Sequence, residues 1–220
     1  MRRPRLLDLC CSAGGASKGY HDAGFDVYGV DIVEQPNYPY EFARADAVTF
    51  PLEGFDAIHV SPPCQGYSGM SNCRPGLAGQ YPQLIDVMRA RVIAAGKPWV
   101  IENVEGSGLA TQDDLFGSSG LMLCGTMFGL PLYRHRLFET SAPVRPPHHP
   151  RHLTAASKAG HWEHGTIISV AGNCSPIALA REAMGGIGWM TRDELAESIP
   201  PPFTEYLGRA LLEQIGEAAA

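Results

Sequence analysis

The amino-acid sequence predicts an α/β fold built on a parallel sheet, because short apolar runs alternate with helical patterns along most of the chain. A glycine-rich turn at residues 12–19 follows the first apolar run, and an acidic residue, Asp31, ends the second. Length agrees, since 220 residues suit one compact domain with a small inserted lobe. We therefore expect one core, with chemistry placed where the strands end.

Composition and charge exclude several classes of protein. A formal net charge of −6 argues against a general polycation that coats nucleic acid. No apolar run approaches the roughly 20 residues that cross a bilayer, and the basic start is followed by too short an apolar run for a signal peptide. Six cysteines without paired CxxC spacing favour free thiols in a reducing compartment. We expect a cytoplasmic monomer with no membrane partner.

The first strand, predicted at residues 6–11, runs into the glycine-rich turn and a helix that ends near Gly24. A second strand at residues 26–30 leads to Asp31. This order is typical of a nucleotide-type cofactor site: missing side chains let a ligand approach the backbone, and the acid accepts hydrogen bonds from ribose hydroxyls. The turn lacks GxGxxG spacing, which disfavours NAD and leaves other adenosine cofactors open.

Three further strands and one helix complete the predicted core. Residues 41–45 form a short strand that ends in Asp46, and residues 56–60 form the fourth strand. Apolar residues at helical spacing predict a helix over residues 83–95, and a fifth strand begins at residue 98. The alternation with helices indicates that these strands are parallel.

Cys64 stands where the fourth strand ends, directly after Pro62 and Pro63. Paired prolines cannot donate to a sheet ladder, so the strand ends there and Cys64 lies on a stiff loop. Cysteine is often a small buried hydrophobe, but the polar residues that follow favour a nucleophile. The glycine- and serine-rich residues 66–79 form a candidate lid over a substrate.

Glu102 ends the fifth strand, next to the strand that leads to Cys64. A carboxylate at that position is costly to bury unless it is hydrogen-bonded, paired or protonated. This cost favours a functional role over a cap for the following turn.

The second half of the chain changes in character. Residues 121–132 are apolar, residues 134–139 alternate like a half-buried strand, and residues 141–190 are rich in proline, glycine and histidine. A capping-box pattern at Thr191 begins a helix, and a final amphipathic helix covers residues 203–215. The predicted divisions are a core over 1–140, an irregular inserted lobe over 141–190 and returning helices over 191–220.

Between residues 134 and 164 the chain is basic and rich in histidine. Its cations are Arg134, Arg136, Arg145, Arg151 and Lys158, against Glu139 and Glu163. Either a solvated surface or a nucleic-acid contact fits this pattern. The clustered histidines invite a zinc site, but without paired-cysteine spacing we expect no metal.

Four motifs stand in one order along the chain, at residues 8–15, 63–65, 102–104 and 134–136. Together they resemble the cytosine-C5 DNA methyltransferase family over nearly the whole chain apart from 141–190, and the compact form is similar to enzymes carried by phages. The resemblance implies a Rossmann-like S-adenosylmethionine-dependent methyltransferase sheet with a small target-recognition lobe. It also implies S-adenosyl-L-methionine as cofactor, S-adenosyl-L-homocysteine as product, no metal, and double-stranded DNA as partner in a prokaryotic or phage-infected cell.

The resemblance implies roles for individual residues. Cys64 is expected to be the nucleophile and Glu102 the group at N3 of the base, and Arg136 with Arg134 is expected to contact a flipped cytosine. The cofactor site is expected to be lined by Asp8, Cys10, Ser12, Gly14, Gly15, Asp31, Ile32, Asp46 and Pro63, to which Phe203 and Thr204 return. The expected DNA contacts are Gln65, Ser68, Arg145, Arg151 and Lys158.

Some residues depart from the family pattern. Ser12 stands where the first motif usually has glycine, Cys10 where it has phenylalanine, and Leu132 where a glutamine precedes the arginines. These departures leave undetermined how an adenosine group packs against the first motif. The alternatives are the same chemistry on RNA or a nucleotide, and a catalytically silent DNA-binding relative. A dehydrogenase is a distant third, because it does not require the Pro-Cys-Gln motif.

Overall fold

The structure is a computed structural model, and it describes residues 2–64, 83–109, 119–152, 156–157, 166–172 and 176–218. A seven-stranded sheet forms its centre, in the order β3-β2-β1-β4-β5-β7-β6. The strands are β1 (Arg5–Leu9), β2 (Asp26–Asp31), β3 (Glu41–Arg44), β4 (Ala57–Val60), β5 (Trp99–Asn103), β6 (Ser119–Cys124) and β7 (His135–Thr140). The helices are α1 (Gly15–Ala23), α2 (Ile85–Ala94), α3 (Ile177–Ala183), α4 (Arg192–Glu197) and α5 (Pro201–Ala218), and a 3₁₀ helix covers Gly125–Phe128.

The first five strands run parallel to one another, as the alternation with helices predicts. β7 differs, because it runs antiparallel to both β5 and β6. The expectation of a wholly parallel sheet is therefore wrong at this edge. Parallel strands need a long crossover connection, whereas β6 and β7 are joined by a short segment with one 3₁₀ turn.

Helices cover both faces of the sheet, which explains why β1, β4 and β5 are buried at nearly every position. Successive strand residues point to opposite faces. Leu6 accordingly packs in one cluster with Tyr20 of α1 and Phe203 of α5. Leu7 packs on the other face with Met88 of α2. The polar residues of these strands are therefore enclosed between two apolar layers.

The inserted lobe rests on the turn that follows β1. Its apolar cluster joins Ile168, Val170, Ala180, Ala183, Met184, Ile187 and Met190 to Ala13 and Leu132 of the core. Trp189 Nε1 donates a hydrogen bond to the Ala13 carbonyl at 2.9 Å. α3 lies in this stretch, which the sequence analysis treated as irregular. The lobe thus packs directly against the glycine-rich turn.

The chain closes with two helices that the sequence predicts. Thr191 and Glu194 make the expected capping box: the Glu194 amide donates to Thr191 Oγ1 and the Thr191 amide donates to Glu194 Oε2. α5 begins at Pro201, two residues before the predicted start, because proline is tolerated in the first helical turn. Among the described helices none, α5 included, combines the length and apolarity needed to cross a membrane.

Candidate active site

An open cavity lies where β1, β4 and β5 end at one edge of the sheet. Its empty volume is about 640 Å³, including solvent space at its mouth. The lining residues are Asp8, Cys10, Cys11, Ser12, Ala13, Gly15, Ala16, Ser61, Pro62, Pro63, Cys64, Glu102, Val104, Arg136, Glu197, Ser198 and Ile199. The motifs at residues 8–15, 63–65 and 102–104 therefore meet in one place, as the parallel topology predicts, and Arg136 of the fourth motif joins them.

Cys64 lies on the loop after β4, and this loop is attached to β5. Asn103 Nδ2 donates a hydrogen bond of 2.9 Å to the Pro62 carbonyl, and Asn103 is fully buried. Burial and the Glu102 carboxylate raise the pKa of the Cys64 thiol, while the Arg136 guanidinium lowers it. The thiol thus sits between opposite charges. Sequence reasoning did not identify Asn103, although it directly follows Glu102.

Glu102 on β5 and Arg136 on the neighbouring strand β7 form an ion pair. Arg136 Nε lies 3.0 Å from Glu102 Oε1, and both side chains are largely buried. The contact is not aligned as a hydrogen bond, so Oε1 makes none among the described residues. Burial raises the pKa of Glu102, and the guanidinium groups of Arg136 and Arg134 and the Ser61 hydroxyl oppose that rise.

A hydrogen-bonded chain leads from the core to Glu102. Tyr20 Oη lies 2.9 Å from His59 Nδ1, and His59 Nε2 lies 2.7 Å from Ser61 Oγ. Burial lowers the pKa of His59 to about 3, so the ring is neutral. With Nδ1 accepting from Tyr20, Nε2 carries the proton toward Ser61, whose hydroxyl is then free to donate to Glu102. His59 lies inside an apolar strand and Ser61 directly follows that strand. These two polar residues are the sequence signal for this chain, and the prediction did not include them.

Asp8 supplies the second buried carboxylate of the cavity. Ser17 Oγ donates to its Oδ2, whereas Oδ1 has no hydrogen-bond partner among the described residues. Burial raises the pKa of Asp8 to about 7 against the Ser17 hydrogen bond, and the Asp31 and Glu102 carboxylates add to the rise. A fully buried acid with one orphaned oxygen points to a missing polar partner.

The turn between β1 and α1 has an unusual backbone. Cys10 and Ser12 have φ angles of 60° and 45°, in the left-handed region that costs a non-glycine residue about 1–3 kcal/mol. The Ser12 amide donates to Asp31 Oδ2 at 3.0 Å and helps to hold the turn. Gly14, at φ 85°, has no room for a side chain, because a Cβ would lie 3.0 Å from the Tyr38 ring. Such strain is typical of ligand sites.

Three other predicted cofactor residues, Asp31, Ile32 and Asp46, lie at or just after the ends of β2 and β3, outside the described lining of the cavity. Asp31 ends β2, and its Oδ1 accepts the Val33 amide at 3.0 Å. Ile32 is 67% exposed, which is unusual for an isoleucine and leaves an apolar surface next to Asp31. Asp46 is exposed and caps the turn that follows β3 through the Val48 amide.

Phe203 and Thr204 lie in the core and not at the cavity. Both are fully buried, and Thr204 Oγ1 donates to the Ala16 carbonyl at 2.8 Å. The residues before α5 that do line the cavity are Glu197, Ser198 and Ile199. The sequence motif is displaced because prolines 200–202 begin the helix, so the residues before them form the loop at the cavity.

Arg134 and Arg136 occupy different environments despite their shared motif. Arg134 is buried and donates to the carbonyls of Val170 and Ala196, at 2.7 and 2.9 Å. It therefore ties the lobe and α4 to β7, and Arg136 alone of the two lines the cavity. Of the predicted DNA contacts, Arg145 and Arg151 are exposed. Gln65, Ser68 and Lys158, and the predicted lid over residues 66–79, lie outside the described residues.

A second polar cluster lies at the end of β6. Cys124, His135, His149 and His152 place their ligand atoms within 4.8 Å of one another. Four ligand atoms at this spacing could hold a metal ion, so the expectation of no metal stays a prediction. None of the four lines the described part of the cavity.

No protein-family model matches the sequence, and no curated protein matches it either. Solved structures do match. A protein described as a DNA modification methyltransferase encoded within a prophage of E. coli has 13% identity and a TM-score of 0.65 over 97% of this chain and 99% of that chain. The methyltransferase EhMeth of Entamoeba histolytica has 12% identity and a TM-score of 0.64 over 98% and 99%. The Dnmt2 methyltransferase of S. pombe has 14% identity and a TM-score of 0.59 over 97% and 99%.

These similarities span nearly the whole of each chain at low sequence identity. They confirm the predicted fold, a Rossmann-like methyltransferase sheet with α/β architecture. Because fold and chemistry are separable, the activity has to be argued from the residues of the cavity.

Proposed function

We propose that this protein is a DNA (cytosine-5-)-methyltransferase that uses S-adenosyl-L-methionine. The observation that carries the proposal is the meeting of Cys64 with the Glu102 and Arg136 pair in one cavity. Cytosine C5 is a poor nucleophile until a thiolate adds at C6. A cysteine, a proton donor for the ring and a cation are the groups that this reaction requires. The named methyltransferases of the same fold add support.

The residues beside Cys64 fit S-adenosylmethionine. The strained turn from Cys10 to Gly14 brings backbone close to the cavity, and Ile32 offers an apolar surface for an adenine. Each carboxylate oxygen of Asp31 accepts a hydrogen bond from one backbone amide. The remaining lone pairs can accept hydrogen bonds from ribose hydroxyls. The orphaned Oδ1 of Asp8 is an acceptor for a cationic ammonium group. When bound, this cofactor supplies a methyl group as an electrophile and leaves as S-adenosylhomocysteine.

The proposed reaction begins at the thiol. The Cys64 thiol first gives its proton to water. Its Sγ then bonds to C6, the C5=C6 electron pair moves toward N3, and N3 takes a proton from Glu102. Burial favours that proton, because it raises the pKa of Glu102. Arg136 stabilises charge on the adduct and on the Glu102 carboxylate that remains.

The reaction ends by elimination. The adduct gives its electron pair to the methyl group, so that C5 carries both the methyl group and its original proton. A base, for which water suffices, removes the C5 proton. N3 then returns its proton to Glu102, the C5=C6 bond forms again, and the C6–Sγ bond breaks to release Cys64. The released Cys64 thiolate takes a proton from water, so the protein regains its starting state.

DNA is the proposed substrate. A stacked base cannot reach a cysteine inside the cavity, so the target cytosine has to be flipped at a cost of a few kcal/mol. The exposed Arg145 and Arg151 are suited to phosphate contacts, which predict an affinity that falls steeply with salt.

The proposal is tested with methyl-labelled S-adenosylmethionine and three acceptors: duplex DNA, RNA and a cytosine nucleotide. We expect label on duplex DNA, mapped to 5-methylcytosine, and none with Cys64→Ser. DNA that contains 5-fluorocytosine should form a covalent complex with the wild-type protein, because fluorine blocks the final elimination. Label on RNA or nucleotide alone would assign the same chemistry to another acceptor. The absence of label on every acceptor would reject the proposed function.

A further inference from the structure

Four potential metal ligands converge at the edge of the sheet where β6 ends and β7 begins. Cys124 and His135 are directly opposite each other in the antiparallel register. His149 and His152 come from the proline-rich segment that follows β7. The cluster therefore joins three separate parts of the chain, and Cys124 is fully buried within it.

Three of the six distances between the ligand atoms are close to those of a tetrahedral ion, and all six are within 4.8 Å. His152 Nε2 lies 3.6 Å from Cys124 Sγ, 3.4 Å from His135 Nε2 and 3.2 Å from His149 Nε2. Tetrahedral zinc, with Zn–N of about 2.0–2.1 Å and Zn–S of about 2.3 Å, separates its ligands by about 3.3–3.6 Å. The three contacts fall close to that range.

Hydrogen bonding alone does not explain this arrangement. An imidazole Nε2 has a single site in the ring plane, which holds either one proton or one lone pair. His152 Nε2 faces two nitrogens and one sulfur, so at most one of the three contacts is a satisfied hydrogen bond. A cation at the centre satisfies all of them together.

The surroundings favour a charged ligand set. Thr126 Oγ1 donates a hydrogen bond of 3.4 Å to Cys124 Sγ, which favours the thiolate form that binds a metal. His135 Nδ1 lies 3.3 Å from Glu105 Oε2. A carboxylate behind a histidine fixes its orientation and increases its strength as a metal ligand.

We propose that Cys124, His135, His149 and His152 bind one Zn²⁺ ion in a closed, structural site. One thiolate and three imidazoles suit zinc, and four protein ligands leave no open position for catalysis. The ion fixes residues 149–152 to the ends of β6 and β7. It also supports the active site, since Arg136 follows His135 and donates to its carbonyl at 2.9 Å.

The test uses wild-type protein without an affinity tag, purified without chelator. Elemental analysis should find about one zinc per chain, as a four-ligand structural site requires. Cobalt added to the metal-free protein should give the intense visible bands of a tetrahedral ion and a charge-transfer band from one thiolate. Neither result depends on a variant that has to fold, and neither depends on methyltransferase activity.

Variants locate the ion. Cys124→Ser, His149→Ala and His152→Ala should each lose zinc and weaken the cobalt bands, and Cys124→Ser should remove the thiolate band. The matched control is His148→Ala, an exposed neighbour outside the cluster, which should keep the metal. The proposal fails if wild-type protein binds neither zinc nor cobalt. It also fails if the three variants hold as much zinc as the control.

Discussion

The two polar clusters of this protein differ in what their side chains face. In the cavity, Asp8 Oδ1 and Glu102 Oε1 are buried and make no hydrogen bond within the described chain. Around His152, the ligand atoms of four residues face one another. An open cavity with unsatisfied acceptors is suited to bind and release a ligand, whereas a closed set of ligands is suited to hold one ion. The two proposals accordingly assign turnover to the first cluster and stability to the second.

The largest effect is expected at Cys64. Cys64→Ser should reduce methyl transfer by at least about a thousandfold, because an unactivated hydroxyl does not add to C6. The melting temperature should stay close to that of the wild type, since the side chain is only partly buried. Methylation assays and thermal denaturation measure the two quantities. A large loss of stability would show that Cys64 has a structural role. It would contradict the proposed difference between the cavity and the cluster around Cys124.

Glu102→Gln should lower turnover by about a hundredfold or more, because the amide does not transfer a proton to N3. The same substitution should have the opposite effect on the thiol. At pH values above the pKa of Glu102, the carboxylate raises the pKa of Cys64, so the variant should react faster with iodoacetamide. The measurement is the alkylation rate against pH. A thiol of unchanged or lower reactivity would contradict the proposed charge contact.

Asp8→Asn should increase stability and weaken cofactor binding. The folded pKa of Asp8, about 7, lies above its ordinary 3.8, so folding favours the protonated acid. Stability from this group is complete below pH 4 and is lost as the pH rises to about 7. Relative to wild type, the variant should gain melting temperature across that range. It should also bind S-adenosylmethionine about tenfold more weakly at pH 8, because a charge-assisted hydrogen bond is lost.

Calorimetric titrations and melting curves at several pH values measure this effect. Wild-type affinity should rise as Asp8 ionises near pH 7, and the variant should show no such rise. A similar pH dependence in both proteins would show that Asp8 does not contact the cofactor.

His149→Ala should reduce stability more than turnover, which is the reverse of the effect expected for Cys64→Ser. Loss of a bound metal should reduce the free energy of unfolding by at least about 2 kcal/mol, because metal binding adds to folding. Turnover at low temperature should fall by less than about fivefold, since His149 does not line the cavity. His148→Ala, its exposed neighbour, should change neither. Denaturant unfolding and methylation assays on both variants check the contrast.

Sequence reasoning worked best where the relevant groups follow a strand. Glu102 ends β5 and Cys64 follows β4, and in a parallel sheet these ends share one edge. Local signals therefore sufficed to bring them together. Phe203 shows the limit of the same reasoning: the motif around it was recognised, but the exact loop that reaches the cavity depends on where the proline-led helix begins.

The cluster around Cys124 was not predicted, because it depends on antiparallel strand pairing and on the path of the segment after β7. Cys124 lies opposite His135 in a register that no local pattern determines. The sequence does carry a partial signal, since His148 and His152 have HxxxH spacing. The structure uses His149 in place of His148, so even that signal names one wrong ligand.

The smallest effect is expected at Ser61, which acts on the reaction through Glu102. The Ser61 hydroxyl lowers the pKa of Glu102 and is itself oriented by His59. Ser61→Ala should therefore raise the pKa of Glu102 further and move the alkaline limb of the turnover profile to higher pH. The rate below that limb should change only about twofold to threefold, because the proton donor remains.

Ser61→Thr, which keeps the hydroxyl, should restore the wild-type profile. A merely structural role for Ser61 would lower the rate at every pH without moving the limb. Because Glu102→Gln has no ionisable group at that position, the limb should be missing from its profile. If Ser61→Ala left the alkaline limb at the wild-type pH, the hydrogen-bonded chain from Tyr20 through His59 to Ser61 would have a structural role and no role in the reaction.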